Sequence, residues 1–189
     1  MPDYIPLGKA PESPEERALL LSQKVQAEEY IASLRLNHIQ KVMVEFLIFR
    51  KGYDKSDLEI NRGFTVQLPE CTFTVSADII INIQGRRLIS IKCAESSLES
   101  WERHAVAFCR VADQCLIPYA VISDSEHAKM LNAADATVFA EGLDAIPSRR
   151  EAERLLGETD FKICISQKAE KEKRILYAFE AVKCPNISE

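Results

Sequence analysis

The sequence predicts an α/β domain in which helices flank a mixed β-sheet, with an additional helix at the N-terminus. Three observations support this class. Hydrophobic residues make up 47% of the 189 residues, which is enough for one core. Some segments carry apolar residues at helical spacing, and others alternate between apolar and polar residues as strands do. The predicted order is helices, then antiparallel strands, then alternating helices and strands, which is typical of a mixed sheet.

The N-terminal region is predicted to form an extended arm and a long helix. Residues 1–10 carry two prolines and no clear periodicity. Ser13 caps a helix that runs from Pro14 to about Leu34. This helix has more apolar residues than a free helix exposes, namely Leu19, Leu20, Leu21, Val25 and Ile31. We therefore expect it to pack on the domain or on a second copy of the chain, which would make a homo-oligomer.

A second helix is expected to begin the main domain. Asn37 caps it, and Gly52 ends it in the left-handed conformation just after Lys51. Glu45 lies within the apolar stretch of this helix. We place the domain boundary before Asn37, so that residues 1–36 form the arm and first helix and residues 37–189 form the main domain.

The centre of the chain is predicted to be a β-hairpin preceded by two short strands. The two arms of the hairpin, residues 78–83 and 88–92, are rich in isoleucine, which favours central strands. Gly85 lies in the turn between them. The two preceding strands cover residues 64–68 and 71–75, where apolar and polar residues alternate.

The remaining elements alternate between helix and strand. A helix is expected from Leu98 to about Cys115, and a strand follows Pro118. The residues Ser123-Asp124-Ser125 are expected to cap a short helix. The predicted ranges are strand 119–122, short helix through 131, strand 136–140, helix from 147 through 156, strand 161–165 and helix 168–182.

Composition and the missing motifs exclude several classes of protein. No apolar run reaches the roughly 18 residues of a membrane helix, and no signal-peptide pattern occurs at the start, so we expect a cytoplasmic protein. No glycine-rich phosphate loop occurs, so ATP binding is not expected. The six cysteines and three histidines have no zinc-site spacing, and we expect free thiols. The net charge of −5 disfavours tight autonomous DNA binding.

The hairpin carries the chemistry. Asp78 begins one apolar strand and Lys92 ends the next, so the two charges can face each other across the sheet. A buried carboxylate is costly unless it has a partner. From the pattern alone, an ordinary ion pair at the strand ends near solvent and a functional site both remain open.

The motifs around this hairpin resemble those of the PD-(D/E)xK nuclease superfamily, and more narrowly the N-terminal domain of type I restriction enzyme R subunits. The resemblance runs from about His38 to Asp124. It rests on four pieces in order: Lys51-Gly52-Tyr53, Ala77-Asp78-Ile79, Ile91-Lys92-Cys93-Ala94, and Ile117-Pro118-Tyr119 continuing to Asp124. It implies a restriction-endonuclease-like fold and metal-dependent cleavage of DNA.

The resemblance also implies a Mg²⁺ site. Asp78, the acid two residues before the lysine and the backbone carbonyl of Ile91 would be the oxygen ligands, a set that suits magnesium. The ammonium of Lys92 would orient the attacking water and support charge on the phosphate. Because residues two apart in a strand share a face, Ser90 and Lys92 are expected to point the same way.

The chain departs from this pattern at the second acid, where Ser90 stands. A hydroxyl is neutral, so one ligand charge is lost and a divalent ion is expected to bind much less well. Two carboxylates are candidates to replace it. Glu45 occupies the first helix of the domain, where the family often has a glutamate that points into the site. Glu95 follows the lysine by three residues, and we favour a solvated role for it.

Four arginines near the hairpin are candidates for contacts with DNA phosphates. They are Arg86 and Arg87 in the hairpin turn, and Arg103 and Arg110 on the following helix.

Three functions remain open. The first is a weakened or inactive nuclease-like domain that binds nucleic acid or a partner. The second is an active endonuclease with Glu45 as the replacement acid. The third is a structural or regulatory protein. The lost acid and the acidic pI rank the first slightly ahead.

Overall fold

The computed structural model describes residues 11, 13–161 and 169–183, without the side chains of residues 181–183. The predicted arm over residues 1–10 and most of the predicted strand at 161–165 lie outside the described residues. The helices are α1 Pro14–Ser33, α2 His38–Phe49, α3 Leu98–Val111, α4 Arg149–Glu158 and α5 Ala169–Lys183. The strands are β1 Leu58–Gln67, β2 Thr72–Ile83, β3 Arg86–Cys93, β4 Tyr119–Ser123, β5 Ala128–Asn132 and β6 Val138–Glu141. Two short 3-10 helices cover Lys55–Asp57 and Leu143–Ala145.

The α/β class is confirmed. The six described strands form one sheet in sequence order, β1 to β6. Strands β3 and β4 are parallel, because α3 crosses between them, and every other neighbouring pair is antiparallel. Since β3 and β4 run the same way, both reach the same edge of the sheet with their carboxyl ends. The loops that follow them, together with the start of α3, therefore surround the end of β3 that carries Lys92.

Local capping explains where the first two helices begin. The Ser13 hydroxyl accepts a hydrogen bond from Glu16 N at 3.0 Å, as the sequence predicts. Asn37 and Gln40 form a reciprocal capping box at the start of α2. The chain leaves α2 through Gly52, whose φ of 76° is the predicted left-handed conformation. The hairpin turn at Gln84 and Gly85 also has positive φ at both residues, as two-residue hairpins require.

Two predictions of secondary structure are wrong. The segment after β4 is not a helix: Asp124 accepts hydrogen bonds from the backbone N–H of Glu126 and of His127, which closes a turn into strand β5. The two short strands predicted at 71–75 and 78–83 are a single strand, β2, because residues 76 and 77 pair with β1. Helix α3 also ends earlier than predicted, at Val111.

The sheet separates two apolar cores. Helices α2 and α4 cover one face of the sheet, where the buried residues of α2 pack against β2 and β3. Helices α3 and α5 cover the other face. In β3, Ile89, Ile91 and Cys93 face the α2 side, so Ser90 and Lys92 point to the α3 side, as strand alternation predicts.

Strands β1 and β2 exchange faces at one point. Val75 and Ala77 lie in the core of α3, whereas Ile79 and Ile81 lie in the core of α2, although all four have the same parity. The β1–β2 register contains Ile60–Ile79 and Arg62–Ala77 but no ladder pair at the position between them. Asn61, at that position, has a φ of 51°. The alternation therefore breaks at Asn61 and Asp78 while the β1–β2 register stays the same on both sides, and Asp78 becomes reachable from both faces.

Helix α1 is held to the domain by its last third. Ile31 is buried, and Ala27 and Tyr30 pack against the α2 core. Leu21 and Val25, nearer its start, are 58% and 51% exposed. The predicted homo-oligomer through this helix stays a prediction, which sedimentation velocity would test. None of the described helices combines the length and the apolar character needed to cross a membrane.

Candidate functional site

Asp78 and Lys92 face each other across the β2–β3 hairpin. Ile79 pairs with Ile91 and Ile80 with Ser90, so the next step of the same register sets Asp78 opposite Lys92. The Lys92 Nζ donates to Asp78 Oδ2 at 2.7 Å, and each side chain is 15% exposed. The two side chains therefore form a close ion pair that is mostly buried.

The Asp78 carboxylate has two further donors. The backbone N–H of Cys93 donates to the same oxygen, Oδ2, at 2.8 Å. The Gln40 side-chain Nε2 donates to the other oxygen, Oδ1, at 3.3 Å. Two of the donors come from β3, within the sheet, and the third comes from α2, which covers one face of the sheet. Because the alternation of side chains breaks at Asp78, its one carboxylate can reach donors both from β3 and from α2.

Lys92 also contacts helix α3. Its Nζ lies 4.9 Å from the centroid of the Trp101 ring, a cation–π distance. The Trp101 indole N–H donates to Ser96 Oγ at 3.0 Å in the loop that precedes α3. The lysine side chain is thus directed by a carboxylate on one side and an aromatic ring on the other.

Burial of this region also acts on Cys93. Removal of the thiol from solvent raises the pKa of Cys93 to about 12, and the negative charge of Asp78 adds to the shift. The thiol is therefore neutral at physiological pH. Among the described cysteines, Cys93 and Cys109 are buried and Cys115 is exposed, and all are free, as predicted.

Ser90 lies beside Lys92 on the same face and is 7% exposed. Its neighbours across the sheet are Ile80 in β2 and Ala120 in β4, which belong to the apolar core under α3. The position where the family pattern has an acid therefore holds a small neutral side chain in apolar surroundings.

Neither candidate for a replacement acid is found in contact with Asp78. Glu45 is an ion-pair partner of Lys41, with Oε1 3.9 Å from Nζ, and its side chain is 42% exposed. It lies five residues beyond Gln40, which is about 140° around the helix. Glu95 is exposed in the loop after β3. The α2 residue that meets Asp78 is Gln40 instead.

The described side chains offer a divalent metal ion fewer acidic ligands than the resemblance implies. Among the residues with described placement, no three His, Cys, Asp or Glu side chains form a group suited to an ion. The donor set implied by the resemblance is reduced to one carboxylate, a hydroxyl and the carbonyl of Ile91. Magnesium is bound through carboxylates and waters, and the single carboxylate here is already neutralised by Lys92.

Two of the four candidate arginines are engaged within the protein. Arg87 forms a bidentate pair with Glu59 at 2.8 Å for both bonds, and its Nη1 lies 2.7 Å from Asp113 Oδ2. The hydrogen bonds from Arg87 hold the pKa of Glu59 below its usual value, against the opposing effect of burial. Arg110 donates to Glu172 of α5 and to the carbonyls of Ala133 and Ala134. Both arginines thus join elements of the fold.

The other two candidate arginines are exposed. Arg86 lies with its guanidinium carbon 4.9 Å from the centroid of the Phe161 ring, at the turn end of the hairpin. Arg103 is on the outer side of α3. His104, next to Arg103 on α3, is 2% exposed and packs edge-on against Trp101 and Phe179.

Sequence reasoning missed Gln40 and Trp101 as parts of the site. A signal for Gln40 was present, since Asn37 and Gln40 have the spacing of a capping box. The capping box accounts for the hydrogen bond of the Gln40 side-chain oxygen, which accepts from Asn37 N at 3.1 Å. It does not reveal that the amide nitrogen reaches Asp78, because that contact joins residues 38 positions apart.

Comparison with known proteins agrees with the motif order. The searches of curated proteins and of solved structures found no match. A family model described as "Type I restriction enzyme R protein N terminus (HSDR_N)" matches residues 37–147, more than half of the chain. The match covers α2, the β1–β2–β3 region with Asp78, Ser90 and Lys92, and the elements as far as β6. The chain therefore belongs to the family of type I restriction enzyme R protein N-terminal domains.

Proposed function

We propose that this domain keeps the framework of a nuclease of the PD-(D/E)xK type but does not cut DNA, and that it acts by binding a partner. One observation carries the proposal. The carboxylate expected to hold the metal is satisfied by Lys92, the Cys93 N–H and Gln40. With Ser90 in place of the second acid, the described residues bring no second carboxylate into contact with Asp78, so the attraction for a divalent ion at this point is weaker.

The charges around the site favour a protein partner over a nucleic acid. Acidic residues surround the carboxyl ends of β3 and β4 and the start of α3: Glu95, Glu99 and Glu126 are exposed, and Asp124 is partly exposed. Phosphates are repelled by such a rim. Arg87 and Arg110 are occupied by intramolecular carboxylates and carbonyls. Arg86 and Arg103 are the candidate arginines left to contact DNA, and two phosphate contacts give only weak, salt-sensitive binding.

Cleavage and metal binding by the full chain test this proposal. Plasmid DNA and a labelled duplex are incubated with Mg²⁺ or Mn²⁺, beside the variant D78A as a matched control. We expect no cleavage above that of D78A, and no heat of Mn²⁺ binding at millimolar metal by calorimetry. Cleavage that is lost in both D78A and E45Q would overturn the proposal and support an active enzyme that uses Glu45.

A binding measurement separates the two kinds of partner. Fluorescence anisotropy with a DNA duplex at about 0.15 M salt is expected to give no binding tighter than the non-specific range of roughly 10⁻⁴ to 10⁻⁶ M. Tighter binding that R86M and R103M weaken, while K24M does not, would support DNA as the partner. Lys24 lies on the exposed surface of α1, so K24M removes one positive charge away from the site.

A further inference from the structure

We infer that Gln40 is the positioning residue of this site, and that its amide, with Lys92 and the backbone of Cys93, holds Asp78 in the way a metal ion would otherwise do. The inference rests on the proposed function, in which the site operates without a metal. It also identifies residue 40, rather than residue 45, as the position of α2 that contacts Asp78.

The hydrogen bonds of Gln40 account for all the polar groups of its amide. Its side chain is largely withdrawn from solvent, with the residue 6% exposed. The oxygen Oε1 accepts from Asn37 N at 3.1 Å. The nitrogen Nε2 donates to Asn61 Oδ1 at 2.8 Å and to Asp78 Oδ1 at 3.3 Å. An amide nitrogen has two hydrogens, so both are used.

These partners fix which way the amide points. In the opposite orientation, the Gln40 oxygen would face the Asn61 oxygen and the Asp78 carboxylate, and the nitrogen would face the Asn37 N–H. Each of the three contacts would become repulsive. The network therefore selects the orientation in which Gln40 offers hydrogen to Asp78, and a glutamate at this position would reverse that polarity.

The same network anchors Asp78 where the strands exchange faces. Asn61 has a left-handed backbone conformation, and its Oδ1 accepts a hydrogen bond from the Gln40 amide. Its Nδ2 donates to the carbonyl of Arg35 at 3.1 Å. Arg35 lies in the connection between α1 and α2. A chain of hydrogen bonds thus runs from that connection through Asn61 and Gln40 to Asp78 and on to Lys92.

Helix geometry excludes Glu45 from this role. Gln40 shares its buried side with Met43, Val44 and Leu47, the residues that pack α2 on the sheet. Glu45 points about 140° away from Gln40 around the helix axis. Moving its carboxylate to Asp78 would require a rotation of α2 that withdraws those apolar side chains from the core.

The test compares positions 40 and 45 in a background that carries the missing acid. The variants are S90E, Q40E/S90E, S90E/E45Q and the control Q26E/S90E, which adds the same charge on the exposed surface of α1. Calorimetry gives the Mn²⁺ dissociation constant, and thermal unfolding gives the Mn²⁺-dependent rise in Tm. We expect Q40E/S90E to bind Mn²⁺ at least tenfold more tightly than S90E and Q26E/S90E, with a matching rise in Tm. We expect S90E/E45Q to stay within twofold of S90E.

Two results would overturn the inference. One is a dissociation constant for Q40E/S90E no better than that of Q26E/S90E, which would make Gln40 merely structural. The other is a tenfold loss of affinity in S90E/E45Q. Should Q40E/S90E not fold, the S90E/E45Q comparison still decides, because Glu45 is on the helix surface. Metal binding or cleavage by the unmodified chain would instead refute the proposed function. The comparison among the variants would still show whether residue 40 lies next to the metal-binding carboxylates.

Discussion

The ammonium of Lys92 is held between the Asp78 carboxylate, 2.7 Å away, and the ring of Trp101, 4.9 Å away. A lysine that assists hydrolysis has to reach a water or a phosphate. Here the nearest anion is supplied by the protein itself, and the aromatic ring covers another side of the ammonium. This arrangement makes Lys92 a counter-ion for Asp78, and its energetic consequences can be measured.

Removal of the lysine charge is expected to destabilise the fold. Lys92→Met leaves a carboxylate that is mostly buried, with only neutral donors. Breaking a buried pair costs roughly 3–5 kcal/mol, and partial exposure lowers this to about 2–3 kcal/mol here. Urea unfolding measures the free energy, and D78N/K92M is expected to be less destabilised than the sum of its two single variants.

The control for that experiment is an exposed pair on α1. Lys24 and Glu28 are 3.8 Å apart, with side chains 55% and 58% exposed. Lys24→Met is expected to change the free energy of unfolding by less than about 0.5 kcal/mol. A cost for Lys92→Met no larger than that of Lys24→Met would contradict the role of Lys92 as the counter-ion of a buried carboxylate.

Addition of an acid at position 90 is expected to create metal binding. Ser90→Glu sets a second carboxylate on the face shared with Lys92, next to Asp78 across the hairpin. Without metal the new carboxylate is buried among apolar neighbours, so Tm is expected to fall. Mn²⁺ at millimolar concentration is expected to restore part of that loss. Thr74→Glu, on the exposed side of β2, is the charge-matched control and should respond to Mn²⁺ no more than the unmodified chain. Equal responses of the two variants would refute the shared geometry.

The Glu59–Arg87 pair is expected to give stability that depends on pH. The pKa of Glu59 is lowered by its hydrogen bonds to Arg87, so the folded protein binds fewer protons at this group than the unfolded chain does. The contribution is complete above the unfolded pKa of about 4.3 and is lost as the pH falls through the lower folded value. At pH 7, Arg87→Met is expected to cost about 1–3 kcal/mol.

The difference between the unmodified chain and Arg87→Met should therefore shrink as the pH falls from about 5 to 3 in urea titrations. Arg62→Met is the control, because Arg62 is 3.9 Å from Glu59 and its side chain is 60% exposed. It is expected to have a smaller effect at every pH. A constant difference for Arg87→Met across this range would show that the Glu59 carboxylate does not depend on the arginine.

The thiols are expected to differ in reactivity. Thiolate is the reactive form of cysteine, and burial raises the pKa of Cys93 to about 12. Treatment with iodoacetamide at pH 8, followed by peptide mass mapping, should modify the exposed Cys115 at least tenfold faster than Cys93. In urea, where the chain is unfolded, the two rates should converge. Rapid labelling of Cys93 in the folded protein would indicate that β3 opens at the site.

Local signals in the sequence predicted most elements because their causes lie within a few residues. Ser13 and Asn37 cap helices through backbone groups three positions away, and Gly85 turns the hairpin by its own conformation. The helix predicted after Ser123 failed for a related reason. Serine and aspartate satisfy backbone N–H groups in helix caps and in tight turns alike. The pairing of β5 with β4, a non-local contact, decided between the two.

In the candidate site, too, some features follow from the local sequence and others from tertiary packing. The sequence by itself determined that Asp78 and Lys92 lie on adjacent strands of one hairpin, and that Ser90 shares the face of Lys92, because a strand repeats every two residues. Asp78 does not begin its strand as predicted, since β2 starts at Thr72. Only the tertiary structure decided which helix residue meets Asp78. The apolar packing of Met43, Val44 and Leu47 sets the rotation of α2 on the sheet. That rotation turns Gln40 toward the break at Asp78 and leaves Glu45 paired with Lys41 at the surface.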